Sequence, residues 1–203
     1  MVLHDFWTFF IWSTVAGLAV IGIYQLFLLI LRARGVFVTR TKFGLTMIFD
    51  SEDADGTPIR LLNVNGTFQS VSYIAPELRF ELCVHYHRMM AKVIQQVAPE
   101  GHVVVMGGGG FSLPKHLATH MSGGVIDAIE IDPKIVSLAR EHFFLNEALA
   151  AASSELRVIE DDAWKVLQDA EAGSIDVLVN EVFAGRKSLG PLGTAAGAQT
   201  VSG

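Results

Sequence analysis

The chain has 203 residues, room for one domain of ordinary size plus an appendage but not for two large domains. Apolar residues make up 51% and charged residues 18%, which excludes a disordered chain, and the single cysteine, Cys83, excludes an internal disulfide or a cysteine-rich metal site. Net charge is −6, and residues 43–203 hold 20 of the 21 acidic side chains but only 11 of the 15 Lys and Arg, so no nucleic-acid partner is expected.

Mean hydropathy is +0.41, and the excess is concentrated in residues 6–31, FWTFFIWSTVAGLAVIGIYQLFLLIL, which carry no charge. At about 1.5 Å per residue a helix of this length exceeds the roughly 30 Å hydrocarbon layer. Trp7 and Trp12 suit an interfacial belt. A cleaved signal peptide fits poorly, because no basic region precedes the run and no A-x-A site follows it. Arg32, Arg34, Arg40 and Lys42 crowd the C-terminal side, which places that side in the cytoplasm. Residues 1–42 are therefore expected to form a single-pass anchor with a basic juxtamembrane segment.

The pattern then alternates. Leu45–Phe49 and Ile59–Val64 read as strands around a polar Ser51–Thr57 turn. Asn65-Gly66 is a two-residue hairpin signal, with a returning strand at Thr67–Tyr73. Pro76 opens a predicted helix in which Leu78, Leu82, Tyr86, Met89, Met90, Val93 and Val97 form one apolar stripe. Residues 43–98 thus make a small antiparallel β-hairpin unit with a linking helix. His85 and His87 stand two apart on that helix, so they diverge, cannot share a metal, and read as exposed or core-edge.

From His102 the chain becomes a β/α series. Expected strands at His102–Met106, Val125–Ile131, Leu156–Ile159 and Ile175–Val179 alternate with helices at Phe111–Met121, Pro133–Phe144 and Ala163–Ala170. This predicts a Rossmann-like α/β domain over residues 99–185, with a parallel sheet cut short after about four strands. The Gly-, Ala-, Ser- and Thr-rich residues 186–203 read as a flexible tail. The fourth strand is then an open edge, suited to pairing with a second copy or a partner chain.

In such sheets ligands bind beyond the carboxyl ends of the strands. Gly107, Gly108, Gly109 and Gly110 follow the first strand, so backbone there can approach a ligand closely. Glu130 ends the second strand, 21 residues after Gly109, where a carboxylate can accept from ribose hydroxyls. Asp161 and Asp162 end the third strand, where one can accept from an adenine amino group, and Glu181 ends the fourth. A G-x-G-x-x-G reading puts Ser112 at its third glycine, which favours a one-nucleoside ligand such as S-adenosylmethionine over NAD. His116 and His120 lie four apart on a helix, but no third ligand of suitable spacing accompanies them, so no metal is expected. Phe80, Tyr86, Phe111, Phe143 and Trp164 read as core.

These residues resemble the spermidine synthase-like branch of the class I S-adenosylmethionine-dependent methyltransferase fold, over about residues 43–185. The resemblance rests on VNGTFQS at 64–70, similar to the family's hairpin motif LDGxxQ, and on the helix holding Tyr86. It continues through VVVMGGGG at 103–110, IDAIEID at 126–132, EDDAWKVL at 160–167 and IDVLVNEVFAG at 175–185. It implies a methyl- or aminopropyltransferase using S-adenosylmethionine or its decarboxylated form, with a small-molecule acceptor. Gln69 and Glu130 would contact the nucleoside, Asp162 the adenine, and Glu181 would stand where the family has its catalytic aspartate. A binding or scaffold protein without turnover is the alternative. The chain departs from the family at Gly110 and Ala184, where carboxylates that recognise the amine are usual.

Overall fold

A computed structural model describes residues 2–184 and 187–188. The apolar run lies in helix α1 (Val2–Ala33), whose segment Trp7–Ala33 contains an 18-residue stretch of mean hydropathy 2.3 and is nowhere buried. It is long and apolar enough to cross a membrane. Ser13 and Thr14 donate to the carbonyls of Phe9 and Phe10 at 2.8 and 2.9 Å, so neither hydroxyl depends on water. The helix stops at Gly35, which takes φ +78°. Its N–H donates to the Arg32 carbonyl while that of Val36 donates to Leu31, a Schellman ending.

Four strands follow as an antiparallel meander: β1 (Phe37–Thr41), β2 (Gly44–Glu52), β3 (Pro58–Val64) and β4 (Thr67–Tyr73). Asn65 and Gly66 make the expected hairpin turn with φ of +50° and +82°, both positive as a type I′ turn requires. The unit is larger than the sequence reading had it. β1 lies in the segment assigned to the basic juxtamembrane region, where Arg40 and Lys42 obscured a short strand.

The helix expected from Pro76 is corrected. Pro76–Leu78 form one 3-10 turn, and α2 (His85–Val97) begins only after an extended Val84. Arg88 holds this break by donating to the carbonyls of Leu82 and Cys83, both at 2.7 Å. The expected stripe holds only in part, since Leu82 is core and Met90 packs against it while its other members on α2 face outward. Tyr86, Met89, Val93 and Val97 are half exposed or more, whereas His87, Ala91 and Ile94 are buried.

The second sheet is parallel, in the order β7-β6-β5-β8, formed by β5 (His102–Met106), β6 (Val125–Ile129), β7 (Glu155–Ile159) and β8 (Val177–Asn180). Alternation along β5 sends Val103 and Val105 to one face and Val104 and Met106 to the other. The first face packs on α2, α3 (Ser112–His120) and α5 (Leu145–Ala151), the second on α6 (Ala163–Asp169). Helix α4 (Pro133–His142) ends earlier than expected, because Phe144 takes φ +61° and starts α5 as a separate helix. Phe111 and Phe143 are core as expected, but Tyr86 is not.

The meander packs on α4 rather than on the parallel sheet. Ile48, Leu62 and Val64 meet Ile135, Leu138 and Phe143. Asp132 caps α4 by accepting from Lys134 N–H at 2.9 Å and also accepts from Lys42 N–H at 2.6 Å, which ties the β1–β2 turn to the helix. Arg60 pairs with both oxygens of Asp50 and donates to the His142 carbonyl at 3.0 Å. Beyond β8, β9 (Phe183–Ala184) pairs with β10 (Lys187–Ser188), two short strands where none was expected. Apart from Lys187 and Ser188, the expected flexible tail lies outside the described residues.

Candidate functional site

Strand order reverses between β5 and β8, so a crevice opens beyond their carboxyl ends. The glycine loop after β5 and Glu181 after β8 form its two sides. They are joined at the base, where Glu181 N–H donates to the Met106 carbonyl at 2.8 Å. Gly107 has φ +96°, and a Cβ there would stand 2.8 Å from the Glu181 carbonyl oxygen. A Cβ on Gly108 would strike the Phe111 ring, and one on Gly110 would lie 2.5 Å from Ser70 Oγ. Packing within the chain therefore accounts for glycine at 107, 108 and 110.

Glu130, buried at the end of β6, folds its carboxylate onto the loop. Oε2 accepts from Gly108 N–H and Gly109 N–H, both at 3.1 Å, and Oε1 accepts from Asp132 N–H at 3.0 Å. The loop amides that would cradle a phosphate are thus already neutralised by an internal anion. That arrangement leaves the loop little capacity for a phosphate, while Oε1 keeps a lone pair able to accept a further hydrogen bond.

The hairpin closes over the loop. The Gln69 carbonyl comes within 3.3 Å of a Cβ position on Gly109, and the Gln69 side chain is exposed at this mouth. Below it runs a chain of hydroxyls: Ser70 and Ser112 at 2.9 Å, Ser112 and Ser72 at 3.2 Å, with Ser112 donating to the Val71 carbonyl at 2.7 Å. Lys115 ends this chain, donating to Ser72 Oγ at 3.2 Å and to the Phe143 carbonyl. It is 1% exposed, and burial lowers its pKa to about 7.

Glu181 is held from α2. His87 Nε2 donates to Glu181 Oε1 at 2.6 Å, and Tyr86 stands beside the same carboxylate with its ring 4.2 Å from that of His87. Burial, with Glu181 beside it, pushes the Tyr86 phenol up to about 12, so it stays a donor. His87 Nδ1 is buried without a partner. Sequence reasoning missed His87 and Tyr86. The signal was the short register 87, 91, 94, which the larger side chains at 86, 89, 93 and 97 outweighed.

Asp161 and Asp162 stand at the end of β7. Asp162 caps α6 by accepting from Trp164 N–H at 2.9 Å, and Asp161 pairs with Lys165 at 3.1 Å. The structure thus brings Gln69, Gly107–Gly109, Glu130 and Glu181 around one crevice. The two aspartates sit along the sheet edge, each with a local structural role. A groove of about 380 Å³ lined by Pro133, Val136, Arg140 and Glu160 lies along α4 and includes none of the crevice residues.

A sequence profile of the spermine/spermidine synthase domain matches residues 83–187, more than half of the chain. Among curated proteins none matches. Among solved structures, a probable spermidine synthase from Corynebacterium glutamicum superposes with a TM-score of 0.59 at 23% identity, covering 77% of this chain and 55% of its own. Spermidine synthase from Thermotoga maritima gives 0.52 at 16%, covering 71% and 45%. A spermidine synthase in complex with the transition-state analogue AdoDATO also gives 0.52 at 16%, covering 71% and 46%. These likenesses establish a shared fold, and the chain spans about half the length of those proteins. With the profile match over β5 to β10 and the preceding α2, the chain belongs to the spermine/spermidine synthase domain family.

Proposed function

We propose that this chain binds an adenosylmethionine-type nucleoside in the β5/β8 crevice and transfers an alkyl group from it to an amine, at the cytoplasmic face of a membrane that α1 crosses. The observation that carries the reading is Glu181, held at the crevice by His87 with Tyr86 beside it, and facing a glycine loop whose amides Glu130 already satisfies. When bound, the sulfonium donor supplies an electrophilic carbon and a thioether leaving group. Glu130 Oε1 and Gln69 hold the sugar, and the free carboxylate oxygen of Asp162 serves the base. Glu181 takes the proton that the amine loses as its N–C bond forms and the donor's C–S bond breaks. His87, with Tyr86 beside it, keeps the carboxylate oriented for that transfer.

The acceptor we favour is a monoamine rather than a polyamine. An aspartate at position 110 is shut out by Ser70 Oγ, and position 184 is alanine, so the second ammonium of a polyamine has no carboxylate at either place. The test is calorimetric titration of the detergent-solubilised chain with S-adenosylmethionine, its decarboxylated form and methylthioadenosine, with Gln69→Ala as binding control and Glu181→Gln assayed for turnover. Saturable binding weakened by Gln69→Ala, together with turnover lost about 10²–10⁴-fold in Glu181→Gln, supports the enzyme. Binding without turnover in the unmodified chain supports the second reading, a scaffold that keeps the pocket. No binding by folded protein overturns both.

A further inference from the structure

The loop before α2 and the end of α3 bring together three groups that the crevice does not use. Glu81, His116 and His120 each offer a ligand atom, and these atoms lie within 4.8 Å of one another. The i, i+4 spacing of the histidines stacks their rings 4.1 Å apart at 20°, so both imidazoles point off the same face of α3. The third ligand comes from a segment 35 residues earlier, and no spacing rule links the two.

The hydrogen bonds bear on which nitrogens are free. His116 Nδ1 lies 2.8 Å from the Phe80 carbonyl, and His120 Nδ1 lies 3.0 Å from the His116 carbonyl. A carbonyl only accepts, so His116 Nδ1 carries a proton and its Nε2 presents a lone pair. For His116 this is the backbone-anchored arrangement that orients metal-binding histidines. His120 Nδ1 also lies 2.9 Å from the Thr119 hydroxyl, so that ring can carry its proton on either nitrogen. His120 Nε2 lies 3.1 Å from Glu81 Oε1, a hydrogen bond when Nε2 carries the proton. A metal ion bound there would displace that proton and sit between the two groups.

We infer that Glu81, His116 and His120 form a binding site for a divalent transition-metal ion of the zinc type. Two imidazoles and one carboxylate match zinc's preferences, and the fourth position is open to water. Tetrahedral coordination at about 2.0–2.1 Å places donors about 3.4 Å apart, so small side-chain rotations close the site. Glu81 and His120 are exposed and can rotate. The ion would clamp α3 to the loop that leads into α2, and so fix the helix that carries Tyr86 and His87.

The test uses the full, untagged chain in detergent micelles, titrated with Zn²⁺ by calorimetry and with Co²⁺ by visible absorption. One ion should bind per chain with Kd on the order of micromolar, and Co²⁺ should develop an intense tetrahedral band between about 500 and 650 nm. His120→Ala and Glu81→Gln, both at exposed positions, should each weaken binding at least about tenfold. His85→Ala, on α2 and outside the cluster, should leave it unchanged. Near-UV circular dichroism checks that each variant is folded. Binding unaffected by either ligand variant, or no saturable binding by the unmodified chain, overturns the site and leaves a hydrogen-bonded His120–Glu81 pair.

Discussion

Replacing Glu130 by alanine probes whether the glycine loop is organised by the protein or by its ligand. The carboxylate accepts three backbone hydrogen bonds, from Gly108, Gly109 and Asp132. A hydrogen bond to a charged group contributes about 1.5–3 kcal/mol. The loop amides are half-buried, so water recovers part of their loss, while Glu130 itself is 8% exposed and Asp132 only 3%. The net cost is about 3 kcal/mol, and for a chain of this size each kcal/mol moves Tm by about 2–4 °C, giving a fall of roughly 6–12 °C. Glu130→Gln should lose about half as much. Its carbonyl still accepts from the two loop amides, but its NH₂ then opposes the Asp132 N–H. The assay is thermal unfolding of the detergent-solubilised chain by near-UV circular dichroism, without added nucleoside. A Tm within about 2 °C of the unmodified chain would refute internal organisation of the loop.

Three further outcomes follow from the same geometry. Lys115 has a folded pKa of about 7 against 10.5 when free, so the unfolded chain binds more protons between these values and stability rises with pH. The clean window is pH 7 to 9, below the range where Cys83, pushed by burial to about 11, acts in the opposite sense. Denaturant unfolding should show a slope of up to about 1.4 kcal/mol per pH unit there, flattened in Lys115→Met. Gly110→Asp should fail to create polyamine binding and should destabilise by about 1–3 kcal/mol through collision with Ser70, with Ser70→Gly relieving it; denaturant midpoints and putrescine titration check both. Alkaline carbonate extraction should leave the full chain in the membrane pellet, and a chain lacking residues 1–35 should be released.

Where local chemistry decides an element, the sequence was a good guide. Asn65-Gly66 admitted one kind of turn, and the β/α alternation after His102 led to the four parallel strands observed. It misled where an outside contact decides. Nothing local says that Arg88 will tie up the carbonyls of Leu82 and Cys83 and delay α2, or that Phe144 will turn left-handed under the Arg79 guanidinium 4.3 Å away. The stripe on α2 was misread because apolar size was taken for burial. Helix α2 turns Ala91 and Ile94 toward the sheet, and Tyr86, Met89, Val93 and Val97 lie on the outer side. Around the crevice, the acids at strand ends were legible because strand ends are. His87 was not, since its role rests on a contact across 94 positions. Glu81 escaped for the same reason.

The ending of α1 also sets a length scale. Between Ala33 and Phe37 stand only Arg34, Gly35 and Val36, and the Schellman ending curls even these back on the helix. Fully extended, three residues reach about 10 Å, and here they reach less. Were α1 to span a membrane as proposed, a domain leashed so tightly to it could not wander from the lipid headgroups. For an amine carried on a lipid, the encounter then becomes a search in two dimensions, at a local concentration set by the leash rather than by the volume of the cell. For a freely dissolved amine the leash gives no such gain. Cutting the helix away should therefore penalise the first kind of acceptor and spare the second.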